Sequence, residues 1–257
     1  MQSLLADIVT SNIYAFLLIF ARFGAAVLIM PGIGDSFVSP NIRLYFALGF
    51  SFVLTPFLTP LLPPMPTAAL PLGFLIMTEL VTGIFIGTVM RIMIGALDTA
   101  GSVISIQTGF ANAMLFNPVS SSQGSLVGAL YSMMGVTLML VADLHHQMIA
   151  AIVESYAMFA ADSAIPDAGS MGQVITSMVS LSFKTGVQIA IPFLIVGLIM
   201  QAGFGILGRL MPQLQIFFLA LPAQILLCLI ILSATISAGA MFWLAQYNDV
   251  IVSSFLE

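Results

Sequence analysis

Apolar runs of about 17–25 residues, the length a helix needs to cross a bilayer, recur along this sequence with short polar breaks between them. They cover residues 13–30, closed by Pro31-Gly32, and 44–62, which carries Pro56 and Pro60 and ends at Pro63-Pro64. Further runs follow at 70–97, at 125–142 without any charge, and at 174–207 and 213–244, these last two carrying Pro192 and Pro222. A backbone in lipid must satisfy its own hydrogen bonds, which a helix does within one segment. The alternation of a membrane β-strand is absent. The pattern therefore predicts an all-α membrane protein of hydrophobic helices and helical hairpins, broken at Pro and Gly. The 70–97 run is long enough to span with tilt or to project past the bilayer.

Three intervals read differently. Residues 144–161 place Ile149, Ile152, Val153, Tyr156 and Phe159 on one helical face and Gln147, Ala150, Ala151 and Glu154 on the other. That is an amphipathic helix, suited to an interface or a partner's groove. Residues 162–173, with Pro166, Asp167 and Gly169, form the clearest linker. A loop is expected over 98–124, where Gly101, Gln107, Gly109, Asn112, Asn117-Pro118 and the serines at 120–122 accumulate. Its middle is nevertheless apolar, holding Phe110, Met114, Leu115 and Phe116. The pattern alone leaves open whether this is a turn packed onto neighbouring helices or a segment with a task of its own.

Composition narrows the class. Of 257 residues, 60% are hydrophobic and 6% charged, whereas a soluble domain carries about 25% charged residues. Most of the surface must therefore face lipid or other protein. Five basic residues against ten acidic ones exclude nucleic acid as a partner, since phosphate neutralisation needs clustered Lys and Arg. They are also too few for loop bias to set an orientation. The single cysteine, Cys228, lies in an apolar run, with no disulfide mate and no zinc-type spacing. The first ten residues lack a basic region and include Asp7, so the first span is expected to act as an uncleaved membrane signal.

Arg22, Glu79, Arg91 and Lys184 fall inside apolar runs rather than at their edges. A central charge costs about 2.5–3.5 kcal/mol on insertion scales, so four facing lipid would cost roughly 10–14 kcal/mol, comparable to the stability of a whole domain. They must face protein, water or each other. Ser177, Ser180, Lys184 and Gln188 form a polar stripe at three-to-four spacing, and Pro192 frees the Gln188 carbonyl beside it. Three arrangements fit: interhelical pairs within the chain, a solute or ion pathway, or burial against partner subunits. Sequence physics does not choose among them.

Catalytic constellations are weak. Gly32-Ile33-Gly34-Asp35 spells the GxGD pattern of intramembrane aspartyl proteases, but that chemistry needs a second carboxylate at hand. The only acid upstream is Asp7, outside the first span. Asp143, His145 and His146 could suggest a metal, yet neighbouring helical residues point about 100° apart. A polar helix start with Asp143 near the N-terminus is the simpler reading. No nucleophile-elbow serine and no phosphate-binding glycine loop occurs. The expectation is a protein that is no enzyme and holds no cofactor and no metal.

One segment is specific. Residues 203–217, Gly-Phe-Gly-Ile-Leu-Gly-Arg-Leu-Met-Pro-Gln-Leu-Gln-Ile-Phe, closely resemble the "G-hydrophobic-R-x-x-P-Q-x-x-x-F" signature of the FliR family of type III export-gate proteins, whose virulence relatives are the SctT proteins. The spaced Arg22, Pro31, Gly32, Pro40 and Arg43 agree with that family. So do Gly101, Gln107, Gly109 and Asn117-Pro118, and the Leu144-His145-His146 sequence followed by Ser155 and Pro166. The resemblance runs essentially end to end. It implies a FliP-like part over 1–165 followed by a FliQ-like hairpin part over 166–257, packed in a hetero-oligomeric helical gate. Implied partners are FliP- and FliQ-like subunits, FlhB- and FlhA-like export proteins, unfolded flagellar substrates and membrane lipids. The implied place is the bacterial inner membrane, multi-pass, at the flagellar basal body. The resemblance also implies a pore plug at 109–123, with Gly109, Phe110, Met114, Leu115, Phe116, Asn117 and Pro118 as its residues; many relatives carry an acid where Asn117 stands. It further implies that Arg22, Arg43, Glu79, Arg91, Lys184, Gln188, Arg209, Pro212 and Gln213 serve assembly as buried polar groups. The competing expectations are a small-solute or ion transporter and a virulence-type gate subunit.

Overall fold

The structure is a computed structural model describing residues 2–110, 125–159, 168–211 and 216–256. Its elements are α1 (Gln2–Ile29), α2 (Pro40–Leu58), α3 (Ala69–Thr108), α4 (Leu126–Val141), α5 (Leu144–Met158), α6 (Ala168–Leu210) and α7 (Ile216–Ile251). A 3₁₀ turn at Thr59–Leu61 extends α2, and a π turn at Val252–Leu256 follows α7. Every described regular element is helical, so the fold is that of an all-α membrane protein. Among the described residues, five helices are long and apolar enough to cross a membrane, or six with α4 and α5 counted as one span.

Two boundaries differ from the sequence reading. α3 continues to Thr108, ten residues past the point where the loop was expected. No proline interrupts this stretch, and Ala100, Ile104, Ser105 and Thr108 are buried along it, so packing holds a polar-looking segment helical. The helix stops at Gly109, whose φ of 77° is the left-handed conformation glycine supplies at a helix end. At the other expected linker, α6 already begins at Ala168. Pro56, Pro192 and Pro222 all lie inside helices rather than ending them.

The chain divides into two compact units. The first comprises residues 1–92, 142–178 and 249–257. In it α1 packs on α2, where Phe23 stacks on Phe50 at 5.5 Å between ring centroids and Phe46 lies 4.5 Å from Phe50. Ile19, Leu58 and Tyr156 form a further buried cluster with Leu54, Leu62 and Val153. The π turn packs against α5, burying Phe255. The buried face of α5 is Leu144, Met148, Ala151, Ile152, Ser155 and Tyr156. It keeps the predicted Ile152 and Tyr156 but is rotated toward Ala151 and Ser155, because Ser155 faces a buried cation described below.

The second unit comprises 93–141 and 179–248. Trp243 is fully buried and its indole N–H donates to the Met93 carbonyl at 2.8 Å, which gives the polar end of a buried tryptophan its partner. Small residues bring helices together: a Cβ on Gly186 would lie 2.6 Å from the Ala96 carbonyl oxygen, and one on Gly101 would collide with the backbone of Gly128.

Candidate functional site

The first unit holds a fully desolvated ion pair. Arg22 on α1 donates from Nε to Glu79 Oε2 at 2.6 Å and from Nη2 to Oε1 at 2.9 Å. The side chains are 2% and 0% exposed. Nη2 also donates to the Phe159 carbonyl at 2.9 Å, and Nη1 to Ser155 Oγ at 3.2 Å. The guanidinium lies 3.8 Å from the centroid of the Tyr156 ring. Four N–H directions and one face of the cation are thus occupied, as a buried arginine requires.

What allows this is a close approach of α1 and α3. Gly83, one turn beyond Glu79, sits against the Arg22 carbonyl, and a Cβ on Gly87 would lie 2.7 Å from the Ala26 carbonyl oxygen. Gly83 and Gly87 form a G-x-x-x-G pair, the spacing that lets two helix backbones meet. The sequence reading noticed Glu79 and Arg22 but missed these glycines, although their spacing was visible.

A second polar cluster, also in the first unit, organises the turn between α1 and α2. Asp35 accepts from the Gly32 N–H at 2.8 Å and pairs with Arg91 at 3.0 Å, while Arg91 also donates to the Ile29 carbonyl at 3.1 Å. Arg43 donates to the carbonyls of Val38 and Asp35. Gly32 has φ 84°, and a Cβ on Gly34 would lie 2.6 Å from the Leu28 and Met30 carbonyls. The glycines of the GxGD sequence therefore serve a tight turn, and its aspartate is held by an arginine rather than a second carboxylate.

In the second unit, the described residues on either side of positions 111–124 are tied down. Ser125 Oγ accepts from the Gly128 N–H at 2.9 Å, donates to the Gly101 carbonyl at 2.8 Å, and lies 2.6 Å from Ser105 Oγ. Gln224 on α7 donates its amide to the Gln107 carbonyl, and the Gln107 side chain lies over Gly197 on α6, 2.6 Å from where a Cβ would stand. Gly109 and Phe110 are half-buried at the end of α3. Met114, Leu115, Phe116, Asn117 and Pro118 lie outside the described residues, as do Pro212 and Gln213.

The remaining predicted residues are exposed. Lys184 and Gln188 face outward on α6 with Ser177 and Ser180, and Arg209 is exposed in the last turn of the same helix. Of the intramembrane charges, then, Arg22, Glu79 and Arg91 find partners inside the chain.

The fold and these sites define a multi-pass helical membrane protein whose polar groups brace helix packing and turns. The profile of the family described as "Bacterial export proteins, family 1" matches residues 13–250. The chain belongs to that family of bacterial export proteins. It is 39% identical over 242 residues to the flagellar biosynthetic protein FliR of Caulobacter vibrioides, covering 93% of this chain and 95% of the relative. It is 27% identical to the FliR protein of Bacillus subtilis, over 87% and 86% of the two chains. The Yop proteins translocation protein T of Yersinia pestis is 26% identical, over 86% and 85%.

Proposed function

We propose that this chain is a subunit of the flagellar type III export gate, forming with FliP- and FliQ-like subunits an inner-membrane channel for unfolded flagellar proteins. The carrying observation is the end-to-end likeness to a FliR protein at 39% identity. The flagellar branch is favoured because the 39% identity is to a flagellar protein; at 24–28% identity flagellar and Yop translocation relatives fall together. Deleting the gene is expected to abolish both swimming and the appearance of flagellar subunits outside the cell. Normal secretion in the deleted strain would overturn the proposal.

Uncovered surface supports partner packing. In their most apolar windows α1 and α3 are 56% buried, whereas α6 is 22% and α7 is 11% buried. The polar stripe of Ser180, Lys184 and Gln188 lies on α6 and is exposed. Its lysine has no ion-pair partner among the described residues. A transporter reading loses support, because three of its four intramembrane charges are engaged within the chain. Replacing Lys184 with leucine is expected to leave the chain in the membrane but to lower its recovery with FliP- and FliQ-like subunits several-fold. Pull-down of the complex from solubilised membranes reads this, and full recovery would count against assembly through the stripe.

The central loop, residues 109–123, is proposed to plug the closed channel. Its large apolar side chains suit a stopper, and methionine adapts its shape to what it meets. The anchors at Ser125 and Gln107 favour a loop held by fixed stems. Shortening residues 110–122 is expected to raise ion leakage through the assembled gate, measured as membrane depolarisation or small-molecule uptake. Unchanged permeability would remove the plug from the proposal.

A further inference from the structure

We propose that Asp143, His145 and His146 form a binding site for a divalent first-row transition cation, zinc being the best match. On an ideal helix two successive side chains diverge by about 100°, which argues against a shared ion. The local structure removes that objection. Asp143 takes a left-handed backbone conformation, φ 57°, immediately before α5. Its carboxylate makes no cap hydrogen bond to the helix, contrary to the polar helix start expected of it. Instead Asp143 Oδ1 lies 3.5 Å from His146 Nδ1. The two imidazoles converge in the first turn, their centroids 4.0 Å apart and their planes 37° from parallel.

One donor atom from each of the three residues lies within 4.8 Å of the other two. An ion bound at ordinary zinc–nitrogen and zinc–oxygen lengths holds its donors about 3.3–3.5 Å apart. The Asp143–His146 pair already meets that spacing, and the third donor lies within 4.8 Å of both.

Two further observations favour an ion. His145 Nδ1 is buried and has no hydrogen-bond partner among the described residues, an unmet polar atom of the kind that folded chains usually satisfy. The Asp143 and His146 side chains are 76% and 70% exposed, leaving an open path for entry and a coordination position for water or a donor from a partner chain. The partial positive charge of a helix start disfavours a cation, but the full negative charge of Asp143 opposes it at close range. Two imidazoles and one carboxylate suit zinc, nickel or copper far better than magnesium or calcium, which take oxygen ligands.

The test uses the full-length chain in detergent, without a polyhistidine tag and stripped with a chelator. It is dialysed against zinc and, separately, cobalt, whose visible absorption reports coordination. One equivalent per chain is expected. His145→Ala and His146→Ala should each weaken binding by at least about tenfold, the lower bound set by what even supporting residues contribute. Asp143→Asn should weaken it as well, while Glu154→Gln, an exposed acid on the same helix, should leave it unchanged. Circular dichroism checks that the variants keep their helices. Absence of a bound equivalent in the parent chain, or equal binding by the His145→Ala/His146→Ala double variant, would overturn the site.

Discussion

Arg22→Met is expected to destabilise the folded chain by about 3–5 kcal/mol, the usual cost of stranding one member of a buried ion pair. Glu79 would then sit at 0% side-chain exposure without its cation, and Ser155 and the Phe159 carbonyl would each lose a donor. Arg22→Lys should fall between, because an ammonium keeps the charge but cannot span both carboxylate oxygens, Ser155 and Phe159 at once. The informative variant is the double one, Arg22→Met with Glu79→Leu. It removes both charges together, and replacing a whole buried pair by apolar groups is often close to neutral. The expected order of stability is parent, double variant, Arg22→Lys, Arg22→Met, read by unfolding in mixed detergent and sodium dodecyl sulfate. A double variant as unstable as the sum of its single substitutions would refute the coupling.

Gly83→Ala is expected to cost about 1–3 kcal/mol, the range for forcing extra volume into a packed contact, with Gly83→Leu beyond it. The new Cβ would meet the Arg22 carbonyl and Ala25 Cβ, the latter at 2.9 Å. A backbone oxygen cannot rotate aside as a side-chain terminus does, so α1 and α3 must part. Gly87→Ala, 2.7 Å from the Ala26 carbonyl oxygen, should act in the same direction. Gly49 and Gly73 provide the control, since a Cβ at either meets nothing within 4 Å. Alanine there should stabilise by up to about 1 kcal/mol through helix propensity alone. Equal effects at all four glycines would show that helix approach at Gly83 is unimportant. Because Gly83 lies one turn from Glu79, Gly83→Ala should also reduce the extra loss caused by Arg22→Met.

Much of the fold was legible in the sequence for a simple reason. Span length is imposed by bilayer thickness, so apolar runs reveal helices wherever they occur. Helix ends were less legible, because they depend on tertiary burial. The segment from Asp98 to Thr108 looks like a loop by composition, yet Ile104 and Ser105 are buried and Gly101 meets Gly128 across a helix contact. The charges told a similar story. Sequence could say that Arg22 and Glu79 needed shelter, but pairing residues 57 positions apart depends on how α1 and α3 cross. Asp35 was read through a protease pattern, whereas its partner Arg91 lies 56 residues away. The histidine pair was set aside on ideal helix geometry, and neither the 4.0 Å approach of the two rings nor the left-handed Asp143 before them follows from periodicity.

The packing of the Val252–Leu256 turn against α5 carries a consequence for biogenesis. Phe255 and Ile251 are buried in the same unit that contains α1 and α2. A ribosome must therefore have made α7 and the turn after it before the unit that contains α1 and α2 can close. Until then its α5 contact stays unmade, so this unit cannot finish in the order in which its helices are made.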